Sequence, residues 1–170
     1  MKINYQKANN NDLDKIYELI KKSIIKMEEN NIFQWDDSYP TKDDFKIDID
    51  NNNLYIGKIL NKIVVIFVID KNCDEEYING KWEYANLNYY VIHRLCVNPV
   101  YQNMKIAKNT LIFIENEIKK LNENVVRLDV FSKNPYALKL YNKAGYKNVG
   151  TVTFEKGKFY LMEKYFINEN

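Results

Sequence analysis

Histidine and cysteine are nearly absent from this 170-residue chain: His93 is the single imidazole, and Cys73 and Cys96 are the two thiols. Without a C-x-x-C spacing or further histidines, neither a disulfide framework nor a zinc site is expected, and both thiols read as free. No metal is expected. An excess of one charge is missing too. Lys and Arg total 25 against 23 Asp and Glu, a formal net charge of +2. That is too little to attract a polyanion by itself, so nucleic acid is not an expected partner. Long apolar runs are also lacking. Stretches such as 63–69 stay well short of the roughly 20 residues of a membrane-spanning helix, and the opening MKINYQKANNND has no apolar signal-peptide core. The expectation is a cytoplasmic protein without membrane association. No internal repeat or low-complexity block is found, and the asparagine richness is diffuse.

What is present is the composition of an ordinary globular protein with an aromatic bias: 46% hydrophobic and 28% charged residues, with fourteen tyrosines and eight phenylalanines. This length supports one sizeable core, which predicts a single domain over 1–170. Residues 2–7 alternate weakly and read as a first strand. Asn11 or Asp12 then offers an N-cap for a helix with Leu13, Ile16, Ile20, Ile24 and Met27 on one face. After the aromatic, acidic segment NNIFQWDDSYPT, the capping pattern Thr41-x-x-Asp44 opens a second helix. Runs 54–60 and 63–69 read as a hairpin turning at Asn61-Lys62, residues 70–85 as a polar, extended hairpin tip, and 86–97 as a long strand stopped by Pro99.

A helix over 105–121 is predicted by Ala107, Leu111, Ile114, Ile118 and Leu121, and a strand by the alternation of Val126, Leu128 and Val130. Asn134-Pro135 and Gly145 punctuate the start and end of a short helix that carries Ala137, Leu138, Tyr141 and Ala144. Two β-rich runs, 146–154 and 158–166, close the chain around Glu155-Lys156-Gly157. This order predicts a mixed α/β sheet with helices on both faces.

The chemistry concentrates where the strand ending at Val97 passes through a turn directly into a helix. The N–H groups of a helix's first turn have no internal partners and, with the helix dipole, favour a phosphate placed against them. Any strand-loop-helix connection offers as much, so this topology alone decides nothing.

The residues of this stretch resemble those of a known family, the GNAT N-acetyltransferases, whose acyl-CoA loop reads Val-x-Pro-x-x-Arg/Gln-x-x-Gly-x-Gly/Ala. Here the pattern is Val97, Pro99, Gln102, Lys105, Ala107. A second signature, Asn-x-x-Ala-x-x-Leu-Tyr-x-x-x-Gly-Phe/Tyr, is present as Asn134, Ala137, Leu140, Tyr141, Gly145 and Tyr146. The resemblance implies an α/β fold with a mixed, centrally splayed sheet of six or seven strands and helices on both faces. It also implies transfer of an acetyl group from acetyl-CoA to a primary amine, either a small amine or a peptide amine. A non-catalytic acyl-CoA-binding module is the alternative. The assembly is expected to be a monomer or a homodimer.

Site roles follow from the same resemblance. Backbone groups of Leu95, Cys96 and Val97 would pair with the pantetheine arm, and an N–H at Cys96 or Val97 would polarise the thioester carbonyl. Gln102, Asn103, Met104, Lys105, Ile106, Ala107 and Lys108 would form the pyrophosphate loop. Asn134 and Ala137 would flank the pantetheine, and Tyr141 would protonate the departing thiolate. His93 is a candidate general base or a structural strand residue, placed by alternation on the face of Leu95 and Val97. Trp35, Asp36 and Tyr39 would line the acceptor side, an aromatic and acidic lip suited to a cationic amine, although Trp35 could instead pack the loop onto the sheet. One position departs from the pattern: Lys105 stands where the family's loop has glycine. Either the turn is already helical there or coenzyme binding is impaired.

Overall fold

A computed structural model describes residues 2–166. In chain order the strands are β1 (Asn4–Lys7), β2 (Leu54–Ile59), β3 (Lys62–Asp70), β4 (Tyr89–Val97), β5 (Val125–Phe131), β6 (Lys147–Phe154) and β7 (Gly157–Tyr165). The helices are α1 (Leu13–Glu29), α2 (Lys42–Asp50), α3 (Ile106–Lys120) and α4 (Pro135–Lys143). The seven strands run in the order β1-β2-β3-β4-β5-β7-β6. β1/β2, β2/β3, β5/β7 and β6/β7 pair antiparallel, whereas β4 and β5 pair parallel. That parallel register covers Tyr89↔Val125 to Val91↔Arg127, a short stretch of a nine-residue and a seven-residue strand. The sheet is therefore mixed, as the sequence implies.

The chain divides into two compact units: residues up to 69 with 94–110, and residues 70–93 with those from 111 onward. In the first unit the predicted stripe of α1 is buried. Ile16, Leu19, Ile20 and Ile24 pack with Phe45 and Ile49 of α2 and with Leu54, Ile56, Ile66 and Val68 of the sheet. Each such side chain contributes about 1.5–3 kcal/mol on burial. In the second, Tyr77, Val91, Val152 and Leu161 form a buried cluster flanked by Trp82, Tyr89 and Phe159.

Asp12 is the N-cap residue of α1 as expected, although its side chain makes no capping bond to that helix; it closes a reciprocal box with Asn9 around the single 3-10 turn that leads into α1. Three local expectations are corrected. The β2–β3 hairpin turns at Leu60-Asn61, both left-handed (φ 47 and 62), rather than at Asn61-Lys62; two positive φ values are what the twist of a two-residue hairpin demands. Residues 70–85 are not an extended tip. They contain a 3-10 helix at Glu75–Asn79 whose Tyr77 is buried, because the Trp82 Nε1 donates to the Tyr77 carbonyl and folds the segment on itself. β4 starts at Tyr89, three residues later than expected. The capping box Thr41/Asp44 of α2 is as predicted.

Candidate active site

In the first unit, β4 carries an interruption at Arg94, whose φ is 51 inside an otherwise extended strand. Downstream the alternation resumes. Leu95 and Val97 pack with Val64, Val65 and Ile106, and Cys96 packs with the core of α1. A left-handed residue breaks the count of faces, so the parity used to place His93 beside Leu95 and Val97 does not carry across it. Burial pushes the Cys96 thiol up to about 11, although the Ser23 hydroxyl acts against this. Such a thiol is not a nucleophile.

The strand end is fixed by Asn98: its N–H donates to the Val64 carbonyl (2.9 Å), its side-chain amide to Ile63 (3.3 Å), and its oxygen accepts from Val100 N–H. After the 3-10 turn Pro99–Tyr101, left-handed Asn103 and Lys105 (φ 64 and 59) bracket Met104, and α3 begins at Ile106. Asn109 N–H donates to the Lys105 carbonyl at 3.0 Å. Alternating left-handed residues curl successive N–H groups toward one side, the arrangement that makes an anion-binding concavity, and the free first turn of α3 adds to it. Gln102, Asn103, Met104, Lys105 and Lys108 are exposed, Ala107 is half-buried, and Ile106 is the buried anchor. Met104, Lys105, Ile106 and Asn109, with Ile3 and Ile59, line a cavity of about 190 Å³. The turn is thus not helical at Lys105. The lysine takes the left-handed conformation glycine would have supplied, at a cost of roughly 1–2 kcal/mol.

The segment proposed as the acceptor lip also belongs to this unit. Trp35 is partly buried against the α1 core. Asp36 and Tyr39 close a tight turn with backbone bonds of 3.0 and 3.3 Å, and Asp36 Oδ1 accepts from the N–H and hydroxyl of Ser38. Tyr39 is 41% exposed, and its ring lies over the Arg94 guanidinium at 5.4 Å.

In the second unit, Asn134 caps α4: its side-chain oxygen accepts from Ala137 N–H at 3.0 Å, and Pro135 takes the first helical position. The helix ends as its punctuation requires, with Gly145 at φ 90 and Tyr146 N–H donating to the Tyr141 carbonyl. The Tyr141 ring is 8% exposed and meets Tyr146 edge-on at 5.6 Å. His93 Nε2 lies 3.2 Å from Asp70 Oδ1 and 3.0 Å from the Asn72 carbonyl. Both partners can only accept, so Nε2 carries the hydrogen and the neutral ring holds its lone pair on Nδ1. Burial works against the imidazolium, but the bond to Asp70 outweighs it and raises the His93 pKa above the ordinary value. Burial likewise works against the Asp70 carboxylate, and the bond to His93 outweighs it, so that pKa is lowered. Nearby, Tyr77 donates to Asp129 at 2.9 Å, and burial holds the Asp129 pKa up.

Sequence reading missed Asp70, Asp48 and Arg94. Asp70 and Asp48 stand 23 and 46 residues from the side chains they meet, so no local pattern announces them. A polar arginine in a strand of otherwise apolar character was the one available signal.

Comparison with known proteins follows the same lines. A family model described as an acetyltransferase (GNAT) domain matches residues 66–166. No curated protein matches the sequence. Among solved structures, a GNAT-family acetyltransferase from Streptococcus agalactiae 2603 superposes with a TM-score of 0.85 at 23% identity, covering 98% of this chain and 96% of that one. A GNAT-family acetyltransferase from Listeria monocytogenes 4b F2365 gives 0.77 at 18% identity, covering 96% and 95%. PaiA N-acetyltransferase from Thermoplasma acidophilum, in complex with coenzyme A, gives 0.73 at 19% identity, covering 98% and 100%.

Proposed function

The chain belongs to the GNAT acetyltransferase family, and from that premise we propose that it transfers the acetyl group of acetyl-CoA directly to a primary amine. The observation that carries this reading is the loop before α3, where left-handed Asn103 and Lys105 and the first-turn N–H groups of Ile106, Ala107 and Lys108 form a concavity fit for a pyrophosphate. The N–H groups of Leu95, Cys96 and Val97 serve the pantetheine and the thioester carbonyl; Asn134 and Ala137 flank the arm. Lys105 and Lys108 add cations beside the phosphates, which offsets the loss of glycine.

In the reaction a carbon–nitrogen bond forms and the carbon–sulfur bond breaks. The amine must arrive neutral, so His93, with its lone pair on Nδ1 and Asp70 behind Nε2, takes a proton from it directly or through one water. The hydroxyl of Tyr141 gives a proton to the departing thiolate. A strand N–H near Cys96 stabilises the charge that develops on the carbonyl oxygen. Trp35, Asp36 and Tyr39 face the acceptor.

Calorimetric titration with acetyl-CoA, followed by a free-thiol assay against amines and peptides, tests the proposal. Binding with amine-dependent thiol release, reduced about 10²-fold or more in Tyr141→Phe, is the expected result. Binding without turnover on any acceptor would instead favour an acyl-CoA-binding module.

A further inference from the structure

Eight described residues other than glycine have positive φ, and five of them are asparagines, the type that tolerates it. Leu60 belongs to a hairpin turn and Lys105 to the loop before α3, which leaves Arg94 as the one inside a strand. Its own side chain offers no local bond that would favour such a backbone, so the surroundings must impose it. They do so from two segments. Arg94 Nη1 donates to Asp48 Oδ2 of α2, and the guanidinium lies 5.4 Å from the Tyr39 ring and 5.9 Å from the Phe45 ring. Among the described residues, no acceptor meets its fully buried Nε–H. Strained backbone and an unmet buried donor in one residue are costs that a purely structural arginine would have no reason to carry.

We propose that Arg94 is a positioning residue: held by Asp48 and Tyr39, it fixes the bend in β4 that aims the N–H groups of Leu95, Cys96 and Val97, and it links that bend to the acceptor segment at 33–40. The inference rests on the acetyl-transfer reading for its catalytic consequence. Its geometric part stands independently. A left-handed residue turns the peptide groups after it away from the direction a continuous strand would give them. Because Tyr39 rests on the same guanidinium, an acceptor seated against that ring presses on the residue that sets the bend. Loss of the hold therefore lowers the rate of transfer more than coenzyme affinity, to which the loop before α3 also contributes.

The test uses the full chain labelled with ¹⁵N, with Asp48→Asn, Arg94→Ala and Arg94→Gly. In Asp48→Asn and Arg94→Ala the amide signals of Leu95, Cys96 and Val97 move while those of β5 stay in place. In both, kcat falls about tenfold to a hundredfold, the cost of misaiming a catalytic donor, with a smaller loss of acetyl-CoA affinity by calorimetry. Arg94→Gly, whose backbone accepts the left-handed conformation freely, recovers part of the lost kcat but not the dependence on Tyr39. Unmoved amide signals, kcat within about twofold of wild type, or parallel losses of kcat, coenzyme binding and folded fraction would each overturn the assignment. If no amine supports turnover, the acetyl-transfer reading fails separately, and the amide shifts in Asp48→Asn still decide whether Arg94 holds the bend.

Discussion

Arg127 and Arg94 each sit in a strand, each pair with a carboxylate and each stack on two aromatic rings, one in either unit of the chain. Arg127 is 4% exposed. Its Nε donates to Glu163 at 2.9 Å and its Nη2 to the Tyr84 carbonyl at 3.3 Å, with the Trp82 and Tyr89 rings at 4.2 and 3.9 Å. Glu163 in turn accepts the N–H groups of Glu83 and Tyr84. The group is matched on both sides, and it pins the 75–88 segment to the sheet. Arg94 has a comparable ion pair but a left-handed backbone and an unmet Nε–H. A satisfied buried pair can be explained by the segment it holds; a pair that carries strain requires a task that repays it.

The comparison is most exposed at Arg127. Arg127→Met leaves Glu163 buried without its cation and should cost about 3–5 kcal/mol in urea unfolding, with Asp48→Asn costing no more than about 1–3 kcal/mol. Equal losses would remove the distinction between a latch and a strained positioning residue.

A third polar pair sharpens it, because His93–Asp70 is well bonded and yet titrates. Below the His93 pKa, kcat/KM should rise about tenfold per pH unit and then level, and His93→Gln should lower the plateau and flatten the rise. Stability moves the other way. The raised His93 pKa means the pair's contribution is full below the unfolded value of 6.5 and fades as pH rises through the folded one. The lowered Asp70 pKa means its contribution is full above 3.8 and is lost as pH falls through its folded value. Thermal melts of wild type and His93→Gln should therefore differ most near pH 5 to 6 (about) and converge in mild alkali. A pH profile untouched by the substitution would leave His93 a strand residue with a structural bond.

The smallest effect concerns the second strained position of the first unit. Lys105→Gly should raise stability by about 1 kcal/mol, by relief of the left-handed lysine. No gain would mean that positive φ carries little strain here, and would weaken the argument for Arg94 as well.

Legibility followed the range of the interactions. The α4 cap and stop, the stripe of α1, the Thr41/Asp44 box and the final hairpin could be read directly, since each is settled by residues within a turn or two of one another. The loop before α3 is marked by its motif, but sequence leaves the conformation of Lys105 open between two alternatives. Residues 70–85 read as a polar, extended hairpin tip because their hold on the sheet comes from Arg127 and Glu163, far along the chain.

Sequence by itself determined the family signatures, the order of helices and strands and the residues at the loop and on α4, because periodicity, capping and turn chemistry are local. Only the tertiary structure decided that Asp70 fixes the tautomer of His93, that Asp48 and Tyr39 hold Arg94, and that Lys105 is left-handed. The first two join residues 23 and 46 positions apart, and a lysine gives no local preference for positive φ, so each depends on how the folded chain closes around it.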